Sequence, residues 1–535
     1  MSRCFQRSIP GACAALALVC AAGCVTTQTE EGAQAVAGEE LRIDLAVFED
    51  KIRGGWAGQM AGVCYGDPTE FRWRGRIVDA DLKWSPEMVN GALDQDDLYV
   101  EMTFAEVLDR VGLDATMADH AAAFRDSKYK LWHANAAARR HLNNHIDAPL
   151  SGHPLYNMHS NDIDFQIEAD FIGMMAPGMP QQAIELCDRI GRVVNYGDGV
   201  YGGMFVAGMY AAAYFETDIQ KIVEAGIACM PEGSGYRQIL EDTVALYEAH
   251  PDSWTECWRL INEKWDKDDA CPEGALAPFN IDARLNGAYI AIGMLYGAGD
   301  LTRTIDISTR CGQDSDCNPS SAAGVLGVLY GYKALDPAWV GGIPAIADTK
   351  FNFTNYTFNE ISQSTLKRAI AAAETAGGRV EGNTLIVPRQ LPAPPALEQW
   401  SMGLPEKQFL HDDPAWTWRG AWETRPYANY YDPAAKVSTA AGNEAEFAFT
   451  GSGVAIVGMI EPEQGGMVDI FLDGNKVSRV NCYIGKDTYD RDIWHAYGLE
   501  NTKHTVRLLT VPDADPRSRG SHVRVEYAKT FRPEE

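Results

Sequence analysis

The stretch that decides the fold reads Gly312-Gln313-Asp314-Ser315-Asp316-Cys317-Asn318-Pro319, and the small-residue run Ala322-Ala323-Gly324-Val325-Leu326 follows it. Proline is favoured at the start of a helix, so the sequence predicts a helix here with acidic residues at its N-terminus. One aspartate at such a position is commonly a helix cap. The stretch also begins like an EF-hand loop, but Pro319 and Val325 stand where that loop needs Gly and Glu. These carboxylates therefore need partners from elsewhere in the chain.

A second acidic cluster, Asp94-Gln95-Asp96-Asp97, precedes another predicted helix, which carries the apolar residues Leu98 and Met102. Carboxylates brought within a few ångströms of one another repel and raise one another's pKa, whereas a hard divalent cation converts that repulsion into coordination. We therefore expect the two helix starts to converge on a cation, held by the carboxylates of Asp96, Asp97, Asp314 and Asp316.

Three segments carry a family resemblance. They read, in chain order, Gly62-Val63-Cys64-Tyr65-Gly66-Asp67-Pro68-Thr69-Glu70-Phe71, then Gln95-Asp96-Asp97, then residues 312–317 with Ala322-Ala323-Gly324 and Gly327. In the same order they resemble the first motif, the Thr-Asp-Asp motif and the closing Gly-x-Asp-Thr-Asp-Thr helix of the ADP-ribosylglycohydrolases, which include the dinitrogenase reductase-activating glycohydrolase. The resemblance implies an all-α domain with a central cleft that holds two Mg²⁺ ions, or Mn²⁺ in some members.

The resemblance also implies site residues. The positions that match the family's metal ligands are Gln95, Asp96, Asp97, Asp314, Asp316 and Cys317. Gln95 and Cys317 replace threonines of the family, and a thiol is a poor ligand for Mg²⁺. The family's early Asp is Val63 here, whereas its glutamate near the metals is kept as Glu70. Glu70 is the first candidate for a catalytic carboxylate, and Asp97 is the second. The reaction implied is metal-assisted hydrolysis at the anomeric carbon of a furanose.

The middle of the domain departs from members that cleave ADP-ribose. Their Gly-Asn-Gly-type segment corresponds here to residues 162–170, whose carboxylates disfavour a diphosphate, and residues 195–201 follow with groups that suit a sugar. Each of these residues could equally serve helix packing or capping. The candidate substrate-binding residues are Asp164, Gln166, Glu168, Tyr196, Asp198 and Tyr201.

Three functions remain open on the sequence. The first is a metal-dependent glycoside hydrolase that cleaves a furanosyl bond in a glycan or a glycosylated small molecule. The second is hydrolysis of ADP-ribosyl-protein or ADP-ribose. The third is a non-catalytic carbohydrate-binding lipoprotein, in which aromatic residues such as Trp416, Trp418 and Trp422 would stack on sugars.

The hydrophobic periodicity divides the chain into segments. Helical spacing runs through residues 41–388, a Pro-rich linker spans residues 389–407, and a period of two follows over residues 408–535. We expect an all-α domain followed by an all-β sandwich, jelly-roll-like and similar to the galactose-binding-like modules of polysaccharide enzymes.

The N-terminus has the pattern of an export signal. Arg3 and Arg7 precede an apolar run, and Ala21-Ala22-Gly23-Cys24 resembles a bacterial lipobox, in which the cysteine is acylated. Residues 1–24 are therefore expected to be a lipoprotein signal peptide, with lipidation at Cys24, and residues 25–40 a flexible tether. Cleavage without lipidation is the alternative. The expected location is the outer membrane, facing the periplasm or the cell surface.

The charge limits the partners. A net charge of −28 repels nucleic acid and anionic lipid headgroups, so the membrane is expected to be reached only through the lipid anchor. With 46% hydrophobic residues the chain is expected to be globular, and its oligomeric state is left open.

Overall fold

The structure, a computed structural model, describes residues 35–266, 269–426, 434–485 and 491–534. The expected signal peptide with Cys24, and residues 25–34 of the expected tether, lie outside the described residues. In the parts of the chain that are described, no helix combines the length and apolar character needed to cross a membrane.

The N-terminal domain is all-α, as the sequence predicts. Its helices are α1 (Leu45–Gly66), α2 (Asp96–Val111), α3 (Met117–Asp126), α4 (His133–Asn143), α5 (Asp170–Met174), α6 (Pro180–Gly191), α7 (Asp198–Ala213), α8 (Ile219–Ile227), α9 (Gly235–Ala249), α10 (Trp254–Trp265), α11 (Ala283–Gly297), α12 (Leu301–Arg310), α13 (Cys317–Tyr330), α14 (Pro337–Val340), α15 (Ile343–Ile346) and α16 (Phe358–Thr375). Short 3-10 helices span Asp67–Thr69, Pro86–Asp94, Ile163–Glu168 and Tyr332–Ala334.

Glycines bring α1 and α13 into backbone contact. A Cβ added at Gly62 would lie 2.2 Å from the carbonyl oxygen of Pro319, and one at Gly66 would lie 2.0 Å from that of Ser315. Neither distance is sterically allowed, so only glycine permits this approach. The close packing fixes the C-terminal end of α1 against the N-terminal end of α13, where the closing acidic motif lies.

A small antiparallel sheet closes one side of this domain. Its strands are β1 (Ala35–Asp44), β2 (Arg379–Glu381) and β3 (Thr384–Gln390), in the order β1-β3-β2. Ile43 pairs with Leu385, and both are buried. The sequence assigns residues 35–40 to a tether and begins the linker at residue 389. Instead, residues 35–40 belong to β1 and residues 389–390 to β3, because the two strands form a ladder.

The C-terminal domain is a β-sandwich, as the sequence predicts. Its strands are β4 (Leu404–Leu410), β5 (Trp416–Arg419), β6 (Glu423–Pro426), β7 (Ala434–Ser438), β8 (Glu444–Gly451), β9 (Gly453–Val457), β10 (Glu461–Pro462), β11 (Gly466–Leu472), β12 (Asn475–Asn481), β13 (Tyr483–Ile484), β14 (Asp492–Ala496), β15 (Thr502–Ala514), β16 (Val523–Val525) and β17 (Tyr527–Arg532). The main antiparallel sheets have the orders β12-β11-β15-β8-β5 and β14-β9-β17-β4. Phe447 and Val506 of one sheet share a core with Val454 and Ile456 of the other.

The two domains are joined by a buried interface. Met158 and Ala270 of the helical domain pack with Val457, Tyr527 and Phe531 of the sandwich. Domains that bury apolar side chains against each other keep a more fixed arrangement than domains connected only by a flexible linker.

Candidate metal centre

The first and closing motifs are locked together by hydrogen bonds. After α1 the chain turns through Asp67–Thr69, and the hydroxyls of Thr69 and Ser315 lie 2.7 Å apart. The backbone N–H of Phe71 donates to the carbonyl of Gln313 at 2.9 Å. Glu70, between these two anchors, is therefore held beside the acidic residues that precede α13.

The N-terminus of α2 lies beside the first and closing motifs. Gln95, which precedes the helix, donates its side-chain amide to Asp67 at 3.0 Å. Asp97, in the first turn, accepts a hydrogen bond from the thiol of Cys317 at 3.3 Å. All three sequence motifs thus meet at the N-termini of α2 and α13.

The convergence produces two overlapping groups of possible ligand atoms. One donor atom each from Glu70, Asp314 and Asp316 lies within 4.8 Å of the others, and so does one each from Asp97, Asp316 and Cys317. Asp316 belongs to both groups, so it would help to hold a cation in either one. Asp96 is close enough for its charge to act on Glu70, Asp97 and Asp316.

The donor set fits a hard divalent cation. The Oδ1 atoms of Asp97, Asp314 and Asp316 are buried and have no hydrogen-bond partner among the described residues. A buried carboxylate oxygen without a hydrogen-bond partner is energetically costly unless a positively charged group contacts it. Oxygen ligands are those preferred by Mg²⁺ and Mn²⁺. Cys317 is the exception, since burial raises the pKa of its thiol, which keeps its proton and donates a hydrogen bond to Asp97.

Mutual repulsion dominates the electrostatics of the centre. The charge of Asp316, then burial, then the charge of Asp96, raise the pKa of Glu70 to about 9. Burial, reinforced by neighbouring carboxylates, raises the pKa values of Asp97 and Asp314 well above the usual range. A divalent cation would relieve this repulsion and favour the ionised carboxylates.

Two buried acids extend the centre beyond the residues that the sequence indicates. Glu101 accepts a hydrogen bond from the N–H of Phe171 at 2.9 Å, and Asp170 accepts one from the hydroxyl of Ser321 at 3.3 Å. The charge of Asp170 raises the pKa of both Asp97 and Glu101. Glu101 follows Asp97 by four residues on α2, a spacing that could have indicated it, because such residues share a helix face. Asp170 carries no such signal.

The candidate substrate residues are used in different ways. Asp164 accepts the backbone N–H of Asn135 at 2.9 Å and so caps α4, while Gln166 accepts the hydroxyl of Tyr236 at 2.6 Å. Both are buried and hydrogen-bonded within the helical domain. Glu168 accepts the side-chain amide of Asn135 at 2.6 Å, and its Oε2 has no partner among the described residues.

The remaining candidates lie toward the sandwich. Tyr196 and Asp198 line a groove together with Trp400 of the segment that joins the domains. Tyr201 is buried, and its hydroxyl accepts the N–H of Glu398 at 2.9 Å. The structure therefore separates the candidates into a buried set within the helical domain and a set at the domain junction.

The three tryptophans considered as sugar-stacking residues pack against one another. The rings of Trp416 and Trp418 stack with their centroids 5.0 Å apart, and Trp422 meets Trp418 edge-on at 4.9 Å. Trp416 is buried in the sandwich core.

Comparison with known proteins identifies the family to which this chain is similar. A family model described as ADP-ribosylglycohydrolase matches residues 44–372, which is more than half of the chain. Among solved structures, an ADP-ribosylglycohydrolase-related protein complex is similar at 14% identity and a TM-score of 0.42, covering 61% of this chain and 99% of that one. A family 35 carbohydrate-binding module from Clostridium thermocellum is similar at 14% identity and a TM-score of 0.19, covering 23% and 97%. No curated protein matches the sequence.

Proposed function

The chain belongs to the ADP-ribosylglycohydrolase family, and on that premise we propose that it is an exported, Mg²⁺- or Mn²⁺-dependent glycoside hydrolase that cleaves a furanosyl bond in a glycan. The observation that carries the proposal is the pair of ligand groups that share Asp316. Family membership supports hydrolysis of a glycosyl bond, and the oxygen-rich donor set supports the metal.

Each residue has a role in this proposal. Asp96, Asp97, Asp314 and Asp316 would hold the cations, which when bound supply positive charge that polarises sugar hydroxyls and favours ionisation of water. Glu70 is the exposed carboxylate of the group, so it can reach a substrate. It would orient the nucleophilic water and accept its proton while positive charge develops on the sugar ring.

A glycan is favoured over ADP-ribose by the acidic composition of residues 162–170. Glu168 and Asp170 are buried acids from the segment that replaces the family's Gly-Asn-Gly stretch, and each has an oxygen without a partner among the described residues. Residues 162–170 contain no Lys or Arg, so this segment offers a diphosphate no positively charged partner. The expected export as a lipoprotein also brings the enzyme into contact with glycans. Family membership keeps ADP-ribosyl hydrolysis as the second candidate.

A substrate panel tests the proposal. Protein lacking residues 1–24 is incubated with Mg²⁺ or Mn²⁺ and with furanosides, ADP-ribosyl-arginine and ADP-ribosyl-serine, in parallel with an Asp316→Asn variant. The proposal expects sugar release from at least one furanoside, intact ADP-ribosyl conjugates, and no release by the variant. Cleavage of the ADP-ribosyl conjugates alone would replace the glycan assignment with the second candidate.

A further inference from the structure

A second group of possible ligands lies outside the carboxylate centre. His133 begins α4, His159 lies in the turn before Ile163–Glu168, and Glu273 lies in the loop that precedes α11. One donor atom from each lies within 4.8 Å of the other two. We propose that these three residues bind a transition-metal ion of the zinc type, separate from the Mg²⁺ or Mn²⁺ centre.

Asp162 orients one histidine of this group, His159, and lies near the other. Its Oδ2 lies 2.7 Å from Nδ1 of His159 and 3.6 Å from Nδ1 of His133. Asp162 is buried, so the contact with His159 fixes the ring orientation and turns its Nε2 toward Glu273, whose Oε2 is 3.9 Å away. A carboxylate that holds the remote nitrogen of a metal-binding histidine is the usual support of such sites.

Two atoms of the group lack partners. Nδ1 of His133 and Oε2 of Glu273 are buried, and neither has a hydrogen-bond partner among the described residues. The other oxygen of Glu273 faces Nε of Arg491 at 3.9 Å, which leaves Oε2 directed at the histidines. A cation between the three side chains would give both atoms a ligand bond. Without such a partner, burying these polar atoms costs free energy.

The backbone of His133 is held in an unusual conformation. Its φ of 46° lies in the left-handed region, which is unfavourable for a residue with a side chain. Its ring stacks on Phe279 with the centroids 5.6 Å apart. The ring is thus held by packing on Phe279, so less side-chain entropy is lost when a metal binds.

The donor types indicate the metal. Two imidazoles and one carboxylate suit Zn²⁺ or Co²⁺, whereas Mg²⁺ requires oxygen ligands. Ligand atoms of a tetrahedral zinc site lie about 3.3 Å apart when the bonds are about 2.0–2.1 Å long. The 3.9 Å between His159 and Glu273 therefore has to shorten by only a fraction of an ångström.

The position of the group suggests what the ion would do. The loop that carries Glu273 also contacts the closing motif, because the N–H of Asn280 donates to the side chain of Gln313 at 3.0 Å. Phe279 of the same loop packs on Phe71, the neighbour of Glu70, with ring centroids 4.7 Å apart. The ion would fasten this loop to α4 and so fix one wall of the cleft beside the carboxylate centre.

Calorimetry and cobalt absorption test the site. Chelator-treated protein is saturated with Mg²⁺ and then titrated with Zn²⁺, and in a second series with Co²⁺, whose visible bands report nitrogen ligation. We expect one Zn²⁺ per chain and an affinity at least 10-fold lower in both Glu273→Gln and His133→Ala. His250→Ala, a histidine outside the group, serves as the matched control and is expected to bind normally. Circular dichroism confirms that each variant is folded.

Three outcomes would overturn the site. The first is that folded wild-type protein binds no Zn²⁺ in the presence of Mg²⁺. The second is that both variants bind as tightly as the wild type. The third is that Asp316→Asn abolishes zinc binding while Glu273→Gln retains it, which would place the ion in the carboxylate centre. None of these results depends on which glycosidic bond the enzyme cleaves.

Discussion

At the residue scale, the proposed metal centre depends most on Asp316. It lies in both ligand groups, and its charge is the largest cause of the raised pKa of Glu70. A buried carboxylate in this position is unfavourable for the metal-free protein and useful only when a cation is bound. Function and stability therefore oppose each other at this residue.

Asp316→Asn is expected to separate the two effects. Loss of the charge should abolish turnover and weaken Mn²⁺ binding at least 10-fold, while the metal-free variant gains roughly 1–3 kcal/mol in its free energy of unfolding because repulsion is removed. Denaturant unfolding with and without metal measures both. Asp412→Asn, at an exposed position, is the control and should change neither. A metal-free variant that is clearly less stable than the wild type would contradict the electrostatic description.

Cys317→Thr should strengthen the centre. The thiol is protonated and donates to Asp97, so it offers a hard cation no good ligand atom. A hydroxyl at this position supplies an oxygen, and we expect the dissociation constant for Mg²⁺ to fall severalfold. The thiol of Cys482, in the sandwich core, provides the control as Cys482→Ser. Equal Mg²⁺ affinity in wild type and Cys317→Thr would show that this position does not contribute a ligand.

At the scale of elements, the centre depends on how closely two helices approach. Gly62 and Gly66 allow the backbone of α1 to touch that of α13, and the distance between these helices sets the distance from Glu70 to Asp316. The ligand geometry is therefore a consequence of helix packing as well as of the ligands themselves.

Gly62→Ala tests that dependence. Its Cβ would lie 2.2 Å from the carbonyl oxygen of Pro319, so the helices must separate, and we expect a loss of about 1–3 kcal/mol in stability together with weaker metal binding. At Gly485 an added Cβ meets no described residue within 4 Å, so Gly485→Ala should leave both properties unchanged. Thermal melts and Mn²⁺ titrations measure the two effects. Unchanged metal affinity in Gly62→Ala would mean that helix spacing does not control the centre.

Much at this scale could be predicted from sequence. The glycine spacing in α1, the proline in the first turn of α13 and the change from helical to alternating periodicity are local signals, and the helices and the sandwich follow them. β1 could not be predicted, because its partner β3 lies more than 300 residues away and only their pairing makes residues 35–40 a strand. Asp164 and Gln166 suit a sugar by type, but their partners Asn135 and Tyr236 become visible only in the fold.

At the scale of the whole molecule, the sandwich contacts the loop that carries Glu273. The buried ammonium of Lys529 donates to the carbonyls of Pro272, at 2.7 Å, and Ala275. On the sequence alone, removal of residues 401–535 is expected to spare turnover of small substrates and to weaken polymer binding. The contacts lead to a different expectation, because the loop would lose its support.

Lys529→Met tests the link without removing the domain. The apolar replacement leaves two buried carbonyls without their charged donor, which should cost about 1–3 kcal/mol in stability and lower turnover of a small substrate severalfold. Lys503→Met, at an exposed position, is the control. A chain ending at residue 400 should show the larger loss. Full small-substrate turnover in a folded truncated chain would restore the expectation of separable domains.

Calorimetric titration of chelator-treated protein with Mn²⁺ tests whether the converging aspartates hold the cations that hydrolysis requires. We expect saturable binding of about two ions per chain and recovery of glycoside hydrolysis over the same concentration range. In Asp316→Asn, binding should weaken at least 10-fold and hydrolysis should be lost. A folded protein that binds neither Mn²⁺ nor Mg²⁺, or that hydrolyses its substrate equally well without them, would contradict this expectation.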